Sequence, residues 1–87
     1  MITHVCFKLS EVASRCGLNK EMILEFVSQT WITPVDPDAM LFDDEDVARI
    51  RLIHDLRTQL GVNEDAIPVI LHLVDQLHTI HTKIVPA

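Results

Sequence analysis

Six carboxylates crowd one short stretch of this chain. Between Pro34 and Asp46 lie Asp36, Asp38, Asp43, Asp44, Glu45 and Asp46, with no Lys or Arg among them. Outside that stretch seven acids balance seven bases, so the formal net charge of −6 is a local patch. Clustered carboxylates attract cations, and the cation expected here is a basic protein surface. Duplex DNA needs cations facing its phosphates, so nucleic acid is not the expected partner. Asp36, Asp38, Asp44 and Glu45 are the candidate partner-binding residues. Each has a plainer reading as well. One acid of 43–46 can cap a helix, and others favour the positive end of its dipole. Asp36 and Asp38 adjoin Pro37 and suit a turn. A binding face and a merely solvated face both remain open for this cluster.

Other reactive side chains are scattered. His78 and His81 lie one helical turn apart, with His72 six residues before His78. No carboxylate or Cys falls at matching spacing on the same face, so a solvated helix face is expected and no metal site. Cys6 and Cys16 lack Cys-x-x-Cys spacing and read as reduced thiols of a cytoplasmic protein, at least one of them buried, with a disulfide as the weaker alternative. Arg49, Arg51 and Arg57 point to different sides of a helix at about 3.6 residues per turn, and a Glu45–Arg49 pair would account for one of them. With only Gly17 and Gly61, no nucleotide-binding loop can form. No Ser/His/Asp or Cys/His arrangement assembles either. A non-enzyme without catalytic residues or cofactor is expected. Trp31 is the single Trp and reads as core, with an interface anchor as the alternative. His54 is expected partly buried beside an apolar stripe.

The chain that must position these residues has 87 residues, 48% of them hydrophobic, which suits one domain spanning 1–87. Apolar runs are short and broken by charge, so no membrane helix is expected. Met1-Ile2-Thr3-His4 lacks the pattern of a secretion signal. There is no internal repeat and no linker.

Punctuation predicts a mainly α chain of four helices and a short hairpin. Ser10 can cap a first helix over 11–16, stopped by Gly17. Asn19 can cap a second over 20–30, with Leu18 and Ile23 as a hydrophobic staple. Two helices joined at Gly17-Leu18-Asn19 make a helix-turn-helix. Trp31-Ile32-Thr33 and Met40-Leu41-Phe42 are expected as extended arms of a stunted wing. Asp43 can cap a third helix over 44–60. Its staple is Phe42 with Val47, its apolar face Val47, Ile50, Ile53, Leu56 and Leu60, and its stop Gly61. Asn63 or Asp65 can cap a fourth that runs to about Lys83, with Pro68 in its first turn.

The last helix carries a seam. Ile70, Leu73, Leu77, Ile80 and Ile84 alternate steps of three and four, which is coiled-coil spacing. Residues 63–84 are therefore expected to form a homodimerisation helix. Leu71 and Val74 would supply a second apolar face for the chain's own core. The alternative packs the seam inside one chain.

Phe7-Lys8-Leu9-Ser10-Glu11-Val12-Ala13, Gly17-Leu18-Asn19 and Trp31-Ile32-Thr33-Pro34 together resemble the winged-helix domain of MerR-type transcription regulators. Phe42-Asp43-Asp44-Glu45-Asp46-Val47, then Ile50, Leu56-Arg57, Leu60 and Leu71-His72-Leu73-Val74-Asp75, resemble more specifically the CbpM family, modulators of the CbpA-type J-domain co-chaperone. In MerR-type regulators the second helix carries an Arg-x-Tyr-Glu element that addresses DNA. The matching positions here are Leu24-Glu25-Phe26-Val27, and only the aromatic survives. Their wing carries arginines, whereas Val35-Asp36-Pro37-Asp38-Ala39 is short and acidic. The resemblance implies a MerR-like winged helix-turn-helix that binds a J-domain and masks the surface it presents to a DnaK-type chaperone. Such a J-domain surface carries a basic helix, which the acidic patch complements. The rival reading is a MerR-type DNA-binding regulator. A scaffold used only for oligomerisation is the third.

Overall fold

The computed structural model describes residues 5–84, and of residues 78 and 81–84 the backbone only. The order of elements is β1 (Phe7–Lys8), α1 (Leu9–Cys16), α2 (Lys20–Ser28), β2 (Leu41–Phe42), α3 (Asp44–Thr58) and α4 (Ile67–Ile84). The two strands pair antiparallel, Phe7 opposite Phe42 and Lys8 opposite Leu41. A mainly helical fold with a small two-stranded sheet is what the MerR-like expectation required.

The sheet differs from the expected hairpin. Trp31-Ile32-Thr33 forms no strand, and β2 pairs with the chain's N-terminal segment instead. Trp31 and Ile32 are both buried. Adjacent buried side chains do not alternate as a half-exposed strand requires, so this segment serves as core filler. What remains of a wing is a tight loop closed by an isolated bridge between Asp36 and Leu41.

Pairing with β2 also moves the start of α1. Lys8 is held extended (φ −75, ψ 160), so the helix begins at Leu9 and Ser10 is not its cap. Glu11 takes over, its Oε1 accepting from the Lys8 backbone N–H at 3.1 Å. Gly17 ends α1 in the left-handed region (φ 69), as its position implied.

Asn19 caps α2 through Oδ1, which accepts from the Met22 N–H at 2.8 Å. The helix stops at Ser28, two residues earlier than expected. The stop is a Schellman motif with Thr30 in the left-handed position (φ 61). The Thr30 N–H donates to the Val27 carbonyl at 2.9 Å and the Trp31 N–H to the Phe26 carbonyl at 3.1 Å. The Phe26 and Trp31 rings, 5.9 Å apart between centroids, supply the hydrophobic contact such a motif favours.

Asp43 caps α3 as expected, with Phe42 and Val47 buried on either side. Val47, Ile50, Ile53 and Leu56 face inward, while Leu60 is 72% exposed. The helix ends at Thr58, so Leu60 no longer follows its phase. The core gathers Phe7, Val12, Ile23, Phe26, Phe42, Ile50, Ile53 and Ile67. Each such large side chain contributes roughly 1.5–3 kcal/mol by leaving water.

The last helix begins at Ile67, later than expected, so neither Asn63 nor Asp65 stands at its cap position. Asn63 Oδ1 accepts from the Ala66 N–H at 3.0 Å in the turn that leads into α4. Pro68 then occupies the second helical position, where no donor is missed.

Candidate functional site

The first turn of α3 is built around two reciprocal carboxylates. Asp43 Oδ1 accepts from the Asp46 N–H at 2.9 Å, and Asp46 Oδ2 accepts from the Asp43 N–H at 3.1 Å. This is a capping box with Asp in the place usually held by Glu. The same Asp46 oxygen accepts from the Val35 N–H at 3.2 Å. That bond straps the short acidic loop to the start of α3. Burial pushes the Asp46 carboxyl above its ordinary 3.8, and the nearby Asp43 charge adds to the rise. The backbone N–H groups of Asp43 and Val35 oppose it.

The strap holds the two halves of the acidic stretch together, and the acids there divide into two kinds. Asp43 and Asp46 are consumed as caps. Asp36 is exposed, yet its Oδ1 accepts from the Ala39 N–H at 3.1 Å and so holds the tip of the loop. Asp38, Asp44 and Glu45 are exposed and, among the described residues, make no hydrogen bond or ion pair. Of the four candidate partner-binding residues, three are thus unencumbered and Asp36 is partly structural.

The helix that would address DNA is no more cationic. Phe26 is fully buried, so the one aromatic kept from the regulator pattern is core. Glu21, Leu24 and Ser28 are exposed and Glu25 is half-buried, leaving Lys20 as the single base of α2.

The bases of α3 are engaged elsewhere. Arg49 does not pair with Glu45 as its spacing suggested. Its guanidinium donates to Asp75 of α4 at 2.7 and 3.2 Å and to the Trp31 carbonyl at 2.7 Å. Asp75, 26 positions away, thus takes the place of the helical neighbour and holds the guanidinium with both carboxylate oxygens. Arg57 lies 3.6 Å from Glu64, and Arg51 donates to the Arg15 carbonyl at 3.1 Å. Between α3 and α4 there is an open cleft of about 530 Å³, lined by Glu45, Leu52 and Val74 among others. Neither the strut nor the cleft was foreseen, since both depend on a contact distant in sequence.

α4 touches the core through Ile67 and Leu71, both buried. Val74, expected inside, is 37% exposed. Of the seam, Ile70 is half-buried, whereas Leu73, Leu77 and Ile80 are 52%, 67% and 51% exposed. The side chain of Ile84 lies outside the described residues, as do those of His78 and His81. Cys6 and Cys16 are free thiols, but Cys6 is exposed and Cys16 half-buried, so neither is the buried thiol expected. His54 is half-buried, and the described residues contain no group of side chains able to hold a metal. No helix of the described residues is long and apolar enough to cross a membrane.

The model of MerR HTH family regulatory proteins matches residues 7–85, nearly the whole chain. The chain belongs to the MerR HTH family. Among curated proteins, none matches it. The MerR match spans both helices of the helix-turn-helix, the wing loop and α4, so the acidic loop and the exposed seam belong to the MerR-like unit itself.

Proposed function

We propose that this MerR-family chain is a protein-binding adaptor of the CbpM kind. It binds the J-domain of a CbpA-type co-chaperone and blocks that domain's productive contact with a DnaK-type chaperone. One observation carries the reading. The wing loop and the start of α3 present Asp38, Asp44 and Glu45 to solvent, in a scaffold whose relatives would turn cations toward phosphate. Those carboxylates complement a basic J-domain helix. Inhibition is steric, and the patch sets encounter rate and selectivity. The reading places the protein in the cytoplasm beside its chaperone partner.

The adaptor works as a homodimer through α4. Leu73, Leu77 and Ile80 support this, because a folded single chain leaves them facing water. Ile70 and Ile84 complete the seam. The rival, a MerR-type transcription regulator, rests on family membership and on Lys20 at the start of α2.

Calorimetric titration with a recombinant J-domain of a CbpA-type co-chaperone tests the reading, alongside a gel shift with duplex DNA. Binding of the J-domain that weakens with salt is expected, and no shift at micromolar protein. A salt-sensitive DNA complex without J-domain binding would favour the regulator.

A further inference from the structure

We propose that the cleft between α3 and α4 receives one long cationic side chain, Lys or Arg, from the helix of the bound protein partner. The inference deepens the adaptor reading and rests on it. The lining has two zones by chemistry. Leu52, half-buried, and Val74, 37% exposed, supply apolar surface, while exposed Glu45 supplies a carboxylate. A Lys or Arg side chain has the same two parts, an aliphatic stem and a charged head.

Charge excludes the other simple occupants. Glu45, Asp46 and Asp75 all line the cleft, against one cation, Arg49. That cation is committed, donating to both oxygens of Asp75 and to the Trp31 carbonyl. Asp46 already serves two backbone N–H groups. Glu45 is left as the acid that, among the described residues, pairs with no cation. An anion would face uncompensated carboxylate. A purely apolar group would strip water from Glu45 without replacing it. A cation with an apolar stem satisfies both zones. The Arg49 strut also holds α4 at a set distance from α3, so the cleft is formed before the partner arrives and little ordering is needed.

Ala48 lines the cleft, is exposed, and belongs to no core contact, so Ala48→Trp fills the site from a surface position. Affinity for the J-domain should fall at least about tenfold. Glu45→Gln should weaken it about threefold and flatten the salt dependence. Alanine substitution of each Lys and Arg on the J-domain's basic helix should reveal one position whose effect is non-additive with both variants. If Ala48→Trp folds and binds as wild type does, the cleft is not used, although the adaptor reading stands. If it weakens binding but neither Glu45→Gln nor any basic position couples, the occupant is not cationic and the inference fails. A changed sedimentation mass for Ala48→Trp would assign the cleft to a second copy of the chain and overturn it too. Should Ala48→Trp not fold, Glu45→Gln and the coupling measurement decide. Absence of any wild-type binding defeats the adaptor reading and the cleft assignment together.

Discussion

At the start of α3, polar groups are matched one to one. Two carboxylates cap each other's backbone, and one of them reaches across to Val35. Along α4 beyond Leu71, by contrast, Leu73, Leu77 and Ile80 each leave half or more of their surface in water. At about 100° per residue, Ile67, Leu71, Val74, Ile70, Leu73 and Ile80 sweep an apolar arc over about half the helix, and the core covers only one edge of it. The contrast shows how one small chain offers two kinds of surface. A charged, hydrogen-bonded end suits a partner that comes and goes, because solvated charges speed encounter without large buried area. A bare apolar helix suits a permanent neighbour, because exposure of that face carries a standing cost.

The largest effect should come from charging the bare end. Leu77 and Ile80 are 67% and 51% exposed within one chain, so glutamate at both disturbs no core contact. At tens of micromolar the wild type should sediment at twice the chain mass of 9.9 kDa. The double variant Leu77→Glu, Ile80→Glu should be a monomer with unchanged circular dichroism. A folded wild-type monomer at that concentration would remove the proposed dimer.

Reversing the charge of the other end should act on rate. Asp38, Asp44 and Glu45 are the residues to change to Lys, because Asp36 holds the loop tip through the Ala39 N–H. Association with the J-domain should slow by roughly 10- to 100-fold at low salt. The gap should close as salt rises past the screening range. Equal rates for a folded triple variant would mean that the patch is only a solvated face.

How far these two ends could be read from the sequence differs, and for a physical reason. The caps at Asn19 and Asp43 and the glycine stop at Gly17 are local, requiring partners within a few residues, and the spacing alone revealed them. The acidic patch was equally plain, although which acids were already in use was not. Asp46 needed the distant Val35 N–H to be understood. Features that depend on long-range competition stayed hidden. Lys8–Leu41 pairing displaced Ser10 as a cap, and Asp75 took Arg49 from Glu45. The expected strand at Trp31-Ile32-Thr33 gave way to burial, which leaves β-branched and aromatic composition unchanged. The early end of α2 escaped because its left-handed residue is Thr30 and not glycine.

A smaller effect should separate Asp46 as acceptor from Asp46 as charge. Asp46→Ala deletes the capping box and the strap to Val35, and should cost about 1–2 kcal/mol in urea unfolding. Asp46→Asn keeps an acceptor oxygen and should cost well under half of that. The sign with pH is fixed by the raised carboxyl. The native protein holds this proton up to a higher pH than the unfolded chain, whose group titrates near 3.8. Between 3.8 and the raised value, stability from this group increases as pH falls. The wild type should therefore gain on Asp46→Asn through that window as the solution is acidified. A gap that moves the other way would mean that the ionised form is the one the fold favours.

The smallest expected change concerns the turn between α2 and the buried Trp31. Thr30 is β-branched and sits at φ 61, where a side chain with Cβ meets the backbone. Holding such a residue there costs about 1–2 kcal/mol. Thr30→Gly removes that strain but gives the unfolded chain more freedom, which takes back roughly 0.5–1 kcal/mol. The net should be a gain of about 0.5 kcal/mol, seen as a higher urea midpoint at constant slope. Thr30 also lines the cleft beside Glu45 and Arg49. The backbone bonds Thr30 to Val27 and Trp31 to Phe26 need only the left-handed turn, which glycine adopts freely. Retained J-domain affinity would mean that the cleft binds without the Thr30 side chain. A stabilised variant with weakened binding would show that the Thr30 side chain itself contacts the partner. That outcome would extend the binding surface from the first turn of α3 to the turn that follows α2.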